Sequence, residues 1–123
     1  MERDYYLKTK IFPIMHTVVI RRDVYEKHRW VAQSLCKAFA LAQKDTYEDL
    51  HEMGALKMML PWLVRHVEET EKLLGRDFWP YGLEPNLHTL ETFLRYSYEQ
   101  GLSKLQLAPA ELFAPESLES FKI

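Results

Sequence analysis

Two hydrophobic patterns divide the chain. Residues 14–20 are apolar or β-branched except at His16, and Pro13 precedes them. This pattern predicts a buried β-strand over about residues 13–21. Most later apolar residues recur every three or four positions, as on one face of a helix. A lone strand cannot satisfy its own backbone hydrogen bonds. It must therefore pair with a strand of a larger α/β protein to which this chain belongs, or with a second copy of the chain.

The helical period predicts a mainly α chain after this N-terminal strand. Asp23 and Glu26 have the spacing of a capping box that opens the first helix. A polar break at residues 44–46 divides it from the next helix, and Pro61 suits the first turn of another. Gly75 and Gly101 suit helix ends. The predicted helices span about residues 23–43, 46–60, 61–74 and 86–100, with short helical turns over 109–121.

Length and composition indicate an ordinary globular protein. At 123 residues the chain is predicted to be one domain, 1–123, large enough to bury roughly two thirds of its unfolded surface. The formal charge of −2 gives no electrostatic case for a nucleic-acid partner. No apolar run approaches the ~20 residues needed to span a membrane, and the first ten residues are too polar for a signal peptide. We expect a soluble, cytoplasmic protein.

Several kinds of chemistry are excluded by missing residue patterns. Cys36 is the sole cysteine, so no internal disulfide or multi-thiolate metal site can form. The five histidines never lie three or four residues apart, and no glycine-rich phosphate loop is present. We predict no metal site.

His16 lies in the apolar middle of the predicted strand. It shares a strand face with Ile14, Val18 and Ile20. One interpretation is a core or interface histidine whose ring nitrogens bond to backbone; the other is a general acid or ligand at the wall of a cleft. Thr17 projects from the opposite face, so the two cannot enter one narrow pocket unless the strand twists or bulges.

The segment from Phe78 to Gly82 is a second candidate region. It contains Trp79 and Tyr81 in what reads as irregular backbone. Loops often carry binding groups, but aromatic clusters also close one end of a helical core. Both interpretations remain open at this stage.

These regions also carry a resemblance. The run from Thr9 to Tyr25 resembles the C-terminal part of the 4,5-dihydroxyphthalate decarboxylases, and later motifs follow in the same order: Leu60-Pro61-Trp62-Leu63, Phe78-Trp79-Pro80-Tyr81-Gly82 and Glu111-Leu112-Phe113-Ala114. The resemblance implies the C-terminal portion of a two-lobed α/β fold like that of type II periplasmic binding proteins. The strand would then join a sheet whose other members lie in the N-terminal portion.

Two positions depart from the family pattern. Lys10 stands where glycine is expected, which would change the turn that enters the strand. Arg29 stands where proline is expected before Trp30, which would let two helices fuse.

The resemblance implies non-oxidative decarboxylation of a hydroxylated aromatic diacid without an organic cofactor. His16 would serve in acid–base catalysis, Thr17 would donate a hydrogen bond to a carboxylate, and Trp79 or Tyr81 would stack on the ring. Most carboxylate-binding Arg or Lys groups would lie in the other lobe. Two alternatives stay open: a solute-binding module without catalysis, and a free-standing helical protein that dimerises through the strand. A homo-oligomer is expected.

Overall fold

The computed structural model describes residues 1–118, and this part of the chain is mainly helical. Residues 1–118 contain five α-helices: α1 (Glu2–Thr9), α2 (Arg22–Lys27), α3 (Trp30–His51), α4 (Leu63–Leu74) and α5 (Leu87–Glu99). Three short 3-10 turns accompany them, at Glu84–Asn86, Pro109–Leu112 and Pro115–Ser117. No helix in the described part of the chain is long and apolar enough to cross a membrane.

The predicted strand over residues 13–21 is not formed within residues 1–118. Residues 10–21 connect α1 to α2 without regular secondary structure. The physical reason is the absence of a partner, because a strand is stabilised only by a hydrogen-bonded neighbour. The segment is apolar, as the hydrophobic pattern shows. The regular elements of residues 1–118 are all helices, however, so no second strand is available to pair with it.

The predicted single helix over residues 23–43 is also wrong, since two helices occupy this range. His28 interrupts them with φ −141° and ψ 62°, outside the helical region. Arg29 therefore does not fuse the helices, although it lacks the restraint of proline. The Tyr25 hydroxyl, on α2, donates a 2.5 Å hydrogen bond to Glu116, on the Pro115–Ser117 turn.

The predicted break at residues 44–46 is wrong as well, because α3 continues through it to His51. Lys44, Asp45 and Thr46 are all exposed, and none has the backbone restriction of Gly or Pro. The Thr46 hydroxyl donates to the Ala42 carbonyl at 2.8 Å, so its side chain is satisfied within the helix. The helix predicted over 46–60 consequently ends at His51, and residues 52–62 form a loop.

The later helices begin close to where the sequence places them. Helix α4 starts at Leu63 rather than at residue 61, and α5 follows the Glu84–Asn86 turn and ends at Glu99. Helical turns occur at Pro109–Leu112 and Pro115–Ser117 within the segment predicted over 109–121. Residues 119–121 of that prediction lie outside the described residues.

The core is small for a chain of this length. Within residues 1–118 its buried apolar residues come from α3, α4 and α5: Ala32, Leu63, Val67, Leu90 and Leu94. The accessible surface is 10277 Å², whereas a compact protein of this mass exposes about 7,000 Å² and its unfolded chain about 21,000 Å². The chain therefore buries about half of its unfolded surface, less than the two thirds expected from its length.

Candidate functional site

The segment that carries His16 and Thr17 is exposed. Residues 12–19 are all exposed, including Val18 at 64% and Val19 at 86%. We call residues 11–20 the His16 segment. Large β-branched side chains are normally buried, so this exposure marks a surface that is suited to contact with other protein.

The backbone of the His16 segment is unpaired. Within the described residues, no backbone hydrogen bond is made by any N–H or C=O group from residue 12 to residue 20. The hydrogen bonds nearest to it lie at its two ends. The Ile11 N–H donates to the Thr9 hydroxyl at 3.2 Å, and Arg21 donates two hydrogen bonds, of 3.0 and 2.7 Å, to the Asp23 carboxylate. These free backbone groups are those that a neighbouring strand would satisfy.

The aromatic loop from Phe78 to Gly82 is held against the C-terminal half of α3. The Tyr47 hydroxyl accepts a 3.0 Å hydrogen bond from the Trp79 N–H and donates one of 3.0 Å to Asp77. The Gln43 side-chain amide also donates to the Trp79 carbonyl. Burial, partly offset by the Trp79 N–H, raises the pKa of Tyr47 to about 12, and Asp77 adds to the increase.

The far end of this loop is fixed by Asn86. Its side-chain amide donates to the Pro80 carbonyl at 2.8 Å and to the Gly82 carbonyl at 2.9 Å. Gly82 has φ 92°, a conformation that costs side-chain-bearing residues energy. The loop is therefore an ordered platform on which Trp79 remains 42% exposed and Tyr81 48% exposed.

The structure joins the His16 segment to the aromatic loop through one aromatic pair. The rings of Phe12 and Trp79 meet edge to face, with centroids 5.7 Å apart. His16 and Thr17 themselves make no hydrogen bond within residues 1–118, and neither does the Tyr81 hydroxyl. The described chain thus brings the two candidate regions together without closing a pocket around His16.

The basic residue nearest to His16 in the sequence already has an acidic partner. Arg21 is the basic residue nearest to His16 in the sequence, and its guanidinium is paired with Asp23. No group of histidine, cysteine or carboxylate side chains in residues 1–118 is arranged to hold a metal ion. Surface grooves of about 370 Å³ beside Trp62 and about 440 Å³ beside Arg95 contain none of the four predicted site residues.

Sequence reasoning missed Tyr47, Asp77 and Gln43 as residues that order the aromatic loop. Tyr47 lies beside the predicted helix break, which concealed its place on a continuous helix. Gln43 and Tyr47 are four residues apart, so both reach the same side of α3 once the helix is continuous. That spacing was the available signal.

Comparison with known proteins identifies a similar curated protein. No protein-family model matches the chain. The chain is 41% identical over 120 residues to a protein of Comamonas testosteroni named "4,5-dihydroxyphthalate decarboxylase". The match covers 98% of this chain and 36% of that relative. The chain therefore spans about a third of the length of the curated relative it matches.

Proposed function

We propose that this chain is the C-terminal region of a 4,5-dihydroxyphthalate decarboxylase-like protein, which removes a carboxylate from a hydroxylated aromatic diacid without oxidation. The observation that carries the proposal is the 41% identity, which extends over 98% of the chain rather than over one motif. Since only 36% of the relative is matched, the activity belongs to this chain together with a region equivalent to the remainder.

The proposal includes a two-lobed fold like that of periplasmic binding proteins, in which the His16 segment joins a sheet. Its unpaired backbone from residue 12 to residue 20 supports this. Apolar side chains alternate onto both faces, with Ile14 and Val18 on one and Met15 and Val19 on the other. Such a strand suits the interior of a sheet that is covered on both sides.

The proposed chemistry replaces a carboxylate on the ring by a proton. The bond between the ring carbon and the carboxylate breaks, its electron pair remains on the ring carbon, a proton is added there, and carbon dioxide leaves. A neighbouring ring hydroxyl donates electron density toward that carbon. His16 is proposed as the proton donor, because histidine gains and loses a proton near neutral pH.

Substrate binding is assigned to three further residues. Thr17 is proposed to donate a hydrogen bond to a carboxylate, and Trp79 or Tyr81 to stack on the aromatic ring. The edge-to-face contact of Phe12 with Trp79 supports this grouping, because it keeps the aromatic loop beside the His16 segment. Thr17 and His16 point to opposite faces of a regular strand, so a joint site requires a local twist or bulge. No organic cofactor is assigned.

The proposal is tested with a hybrid in which this chain is joined to the part of the Comamonas relative that it does not match. We expect the hybrid to release carbon dioxide from 4,5-dihydroxyphthalate, whereas neither part does so alone. Binding of the diacid without carbon dioxide release would support the solute-binding alternative. Neither binding nor release would contradict the proposal.

A cytoplasmic location and a homo-oligomeric state complete the proposal. Sedimentation of the hybrid measures its oligomeric state directly. A homodimer is the expected form, because most soluble oligomers are closed homo-oligomers and two-fold dimers are the commonest of them.

A further inference from the structure

The loop between α3 and α4 presents a second apolar surface, separate from the His16 segment. Residues 53–62, the 53–62 loop, expose Met53 at 72%, Met59 at 104% and Trp62 at 77%. Leu56, Met58 and Leu60 are also at least 41% exposed. Contiguous exposure of this kind marks an interaction surface rather than the scattered apolar residues of an ordinary protein surface.

Hydrogen bonds hold this loop in place. The Glu52 carboxylate accepts from the Gly54 N–H at 2.7 Å, and Lys57 forms a 2.7 Å ion pair with Asp49. The Leu63 N–H donates to the Leu60 carbonyl at 3.2 Å. The apolar side chains therefore project from a fixed backbone, which lowers the entropic cost of docking.

Trp62 is held in a conformation that disfavours side-chain-bearing residues. Its φ is 65°, in the left-handed region, and its carbonyl accepts from the His66 N–H at 3.0 Å. A bulky residue at positive φ costs about 1 kcal/mol or more. Because the indole is 77% exposed, this cost is not offset by burial of the ring within the chain.

Charge and area indicate what covers the loop. Lys57 is the sole charged residue in the loop, and it is paired with Asp49, so the loop carries no unpaired positive charge to attract phosphate groups. The chain exposes about 3,300 Å² more than a compact protein of its mass, whereas a protomer in a standard dimer interface buries about 800 Å². The excess also exceeds the roughly 1,000–2,500 Å² that each protomer buries in a large obligate homodimer, so contact with a second copy does not account for all of it.

We propose that the 53–62 loop docks, through Met59 and Trp62, on an apolar surface of the region equivalent to the unmatched part of the Comamonas relative. The inference rests on the proposed function, since that function supplies the partner. It adds a second contact, carried by different residues from the His16 segment.

The test measures binding between this chain and the unmatched part of the Comamonas relative by isothermal titration calorimetry, after circular dichroism and cooperative urea unfolding have shown that each separately produced part is folded. We expect Met59→Lys to weaken binding about tenfold or more, because it places a charge in an apolar contact. Leu105→Lys is the matched control, since Leu105 is 68% exposed but lies outside the loop; binding is expected to be unchanged.

Trp62→Gly separates a role in binding from a role in stability, because the change is expected to affect the two in different directions. Glycine relieves the positive φ, so the free chain should resist denaturant as well as or better than the original chain. The same change removes the indole, so binding should weaken. A parallel loss of stability and binding would overturn the assignment of Trp62 to the contact.

The remaining outcomes separate this inference from the proposed function. Unchanged binding of Met59→Lys, with weaker binding of Val19→Lys in the His16 segment, overturns the inference and leaves the proposed function intact. Loss of self-association in Met59→Lys, with binding to the relative's part unchanged, assigns the loop to a second copy and also overturns it. If the original parts do not bind and the joined hybrid releases no carbon dioxide, the proposed function itself fails.

Discussion

At the scale of single residues, His16 combines the proposed catalytic role with an exposed, unpaired environment. His16→Ala in the hybrid is expected to lower kcat for carbon dioxide release by roughly tenfold or more, because a general acid contributes at least this much. Helical content by circular dichroism should not change. His66→Ala is the control, since His66 is exposed on α4; it should leave kcat unaltered. Unchanged turnover in His16→Ala would remove His16 from the mechanism.

Lys10 shows how one backbone angle changes stability. It ends α1 with φ 59° and ψ 23°, and its N–H donates to the Tyr6 carbonyl at 2.7 Å. Lys10→Gly is expected to raise the free energy of unfolding by about 1 kcal/mol, because glycine adopts this conformation without steric cost.

Urea denaturation followed by circular dichroism measures this difference. Lys10→Ala serves as the control: it also removes the cation contact with the Tyr6 ring but keeps the steric cost. If Lys10→Gly and Lys10→Ala change the free energy of unfolding equally, the positive φ at residue 10 does not reduce stability, and the prediction is wrong.

The sequence anticipated some of these residues and not others. Lys10 was identified from the sequence because the family pattern has glycine at this position. Its positive φ explains the preference for glycine, which adopts this conformation without steric cost. The positive φ of Trp62 could not be predicted, since nothing in the local sequence pattern requires a left-handed residue between Pro61 and α4. The contact of Phe12 with Trp79 joins residues far apart in sequence, and no local periodicity encodes it.

At the scale of elements, His51 links the C-terminal end of α3 to α4 through a contact with Glu71. Its Nδ1 lies 2.6 Å from the Tyr47 carbonyl oxygen and its Nε2 lies 3.0 Å from a Glu71 carboxylate oxygen. Both neighbours accept hydrogen bonds, so both ring nitrogens must carry protons to satisfy them. The hydrogen bond to Tyr47 raises the pKa of His51, and Glu71 adds to the increase, whereas burial and Arg76 oppose it.

This contact predicts a pH dependence of known sign. Because the pKa of His51 is higher in the folded chain than in the unfolded chain, its contact with Glu71 stabilises the fold fully at pH values below the unfolded pKa. This stabilisation is lost as the pH rises through the folded pKa. We expect the NMR titration midpoint of His51 to lie above that of an unstructured histidine. Glu71→Gln should lower it, while Glu68→Gln, an exposed change on the same helix, should do so less. A His51 midpoint indifferent to Glu71→Gln would contradict the contact.

The elements also show what periodicity can establish. The apolar spacing located α4 and α5 within a few residues, because each buries one stripe in the core. The break at residues 44–46 failed because polar residues on an exposed face do not end a helix. The strand failed for a different reason: residues 13–21 have strand composition, but forming a strand requires a second chain segment that the helical part does not provide.

At the scale of the whole molecule, the accessible surface of 10277 Å² agrees with a partial match to a longer relative. Composition could not reveal this, because 47% hydrophobic residues is ordinary for a compact protein. What differs is the placement of those residues: many lie on the His16 segment and the 53–62 loop, which the described chain leaves exposed. Solvent exposure is a property of the fold, so composition could not supply it; the lone apolar segment at residues 13–21 did predict that a partner is needed there.

The account depends on whether the His16 segment becomes a paired strand when a region equivalent to the unmatched part of the Comamonas relative is present. Amide hydrogen exchange of residues 12–20, measured by NMR or mass spectrometry in this chain alone and in the hybrid, tests that directly. We expect fast exchange in the chain alone and exchange slowed roughly a hundredfold or more in the hybrid, as in the interior of a sheet. Equally fast exchange in both would contradict the account.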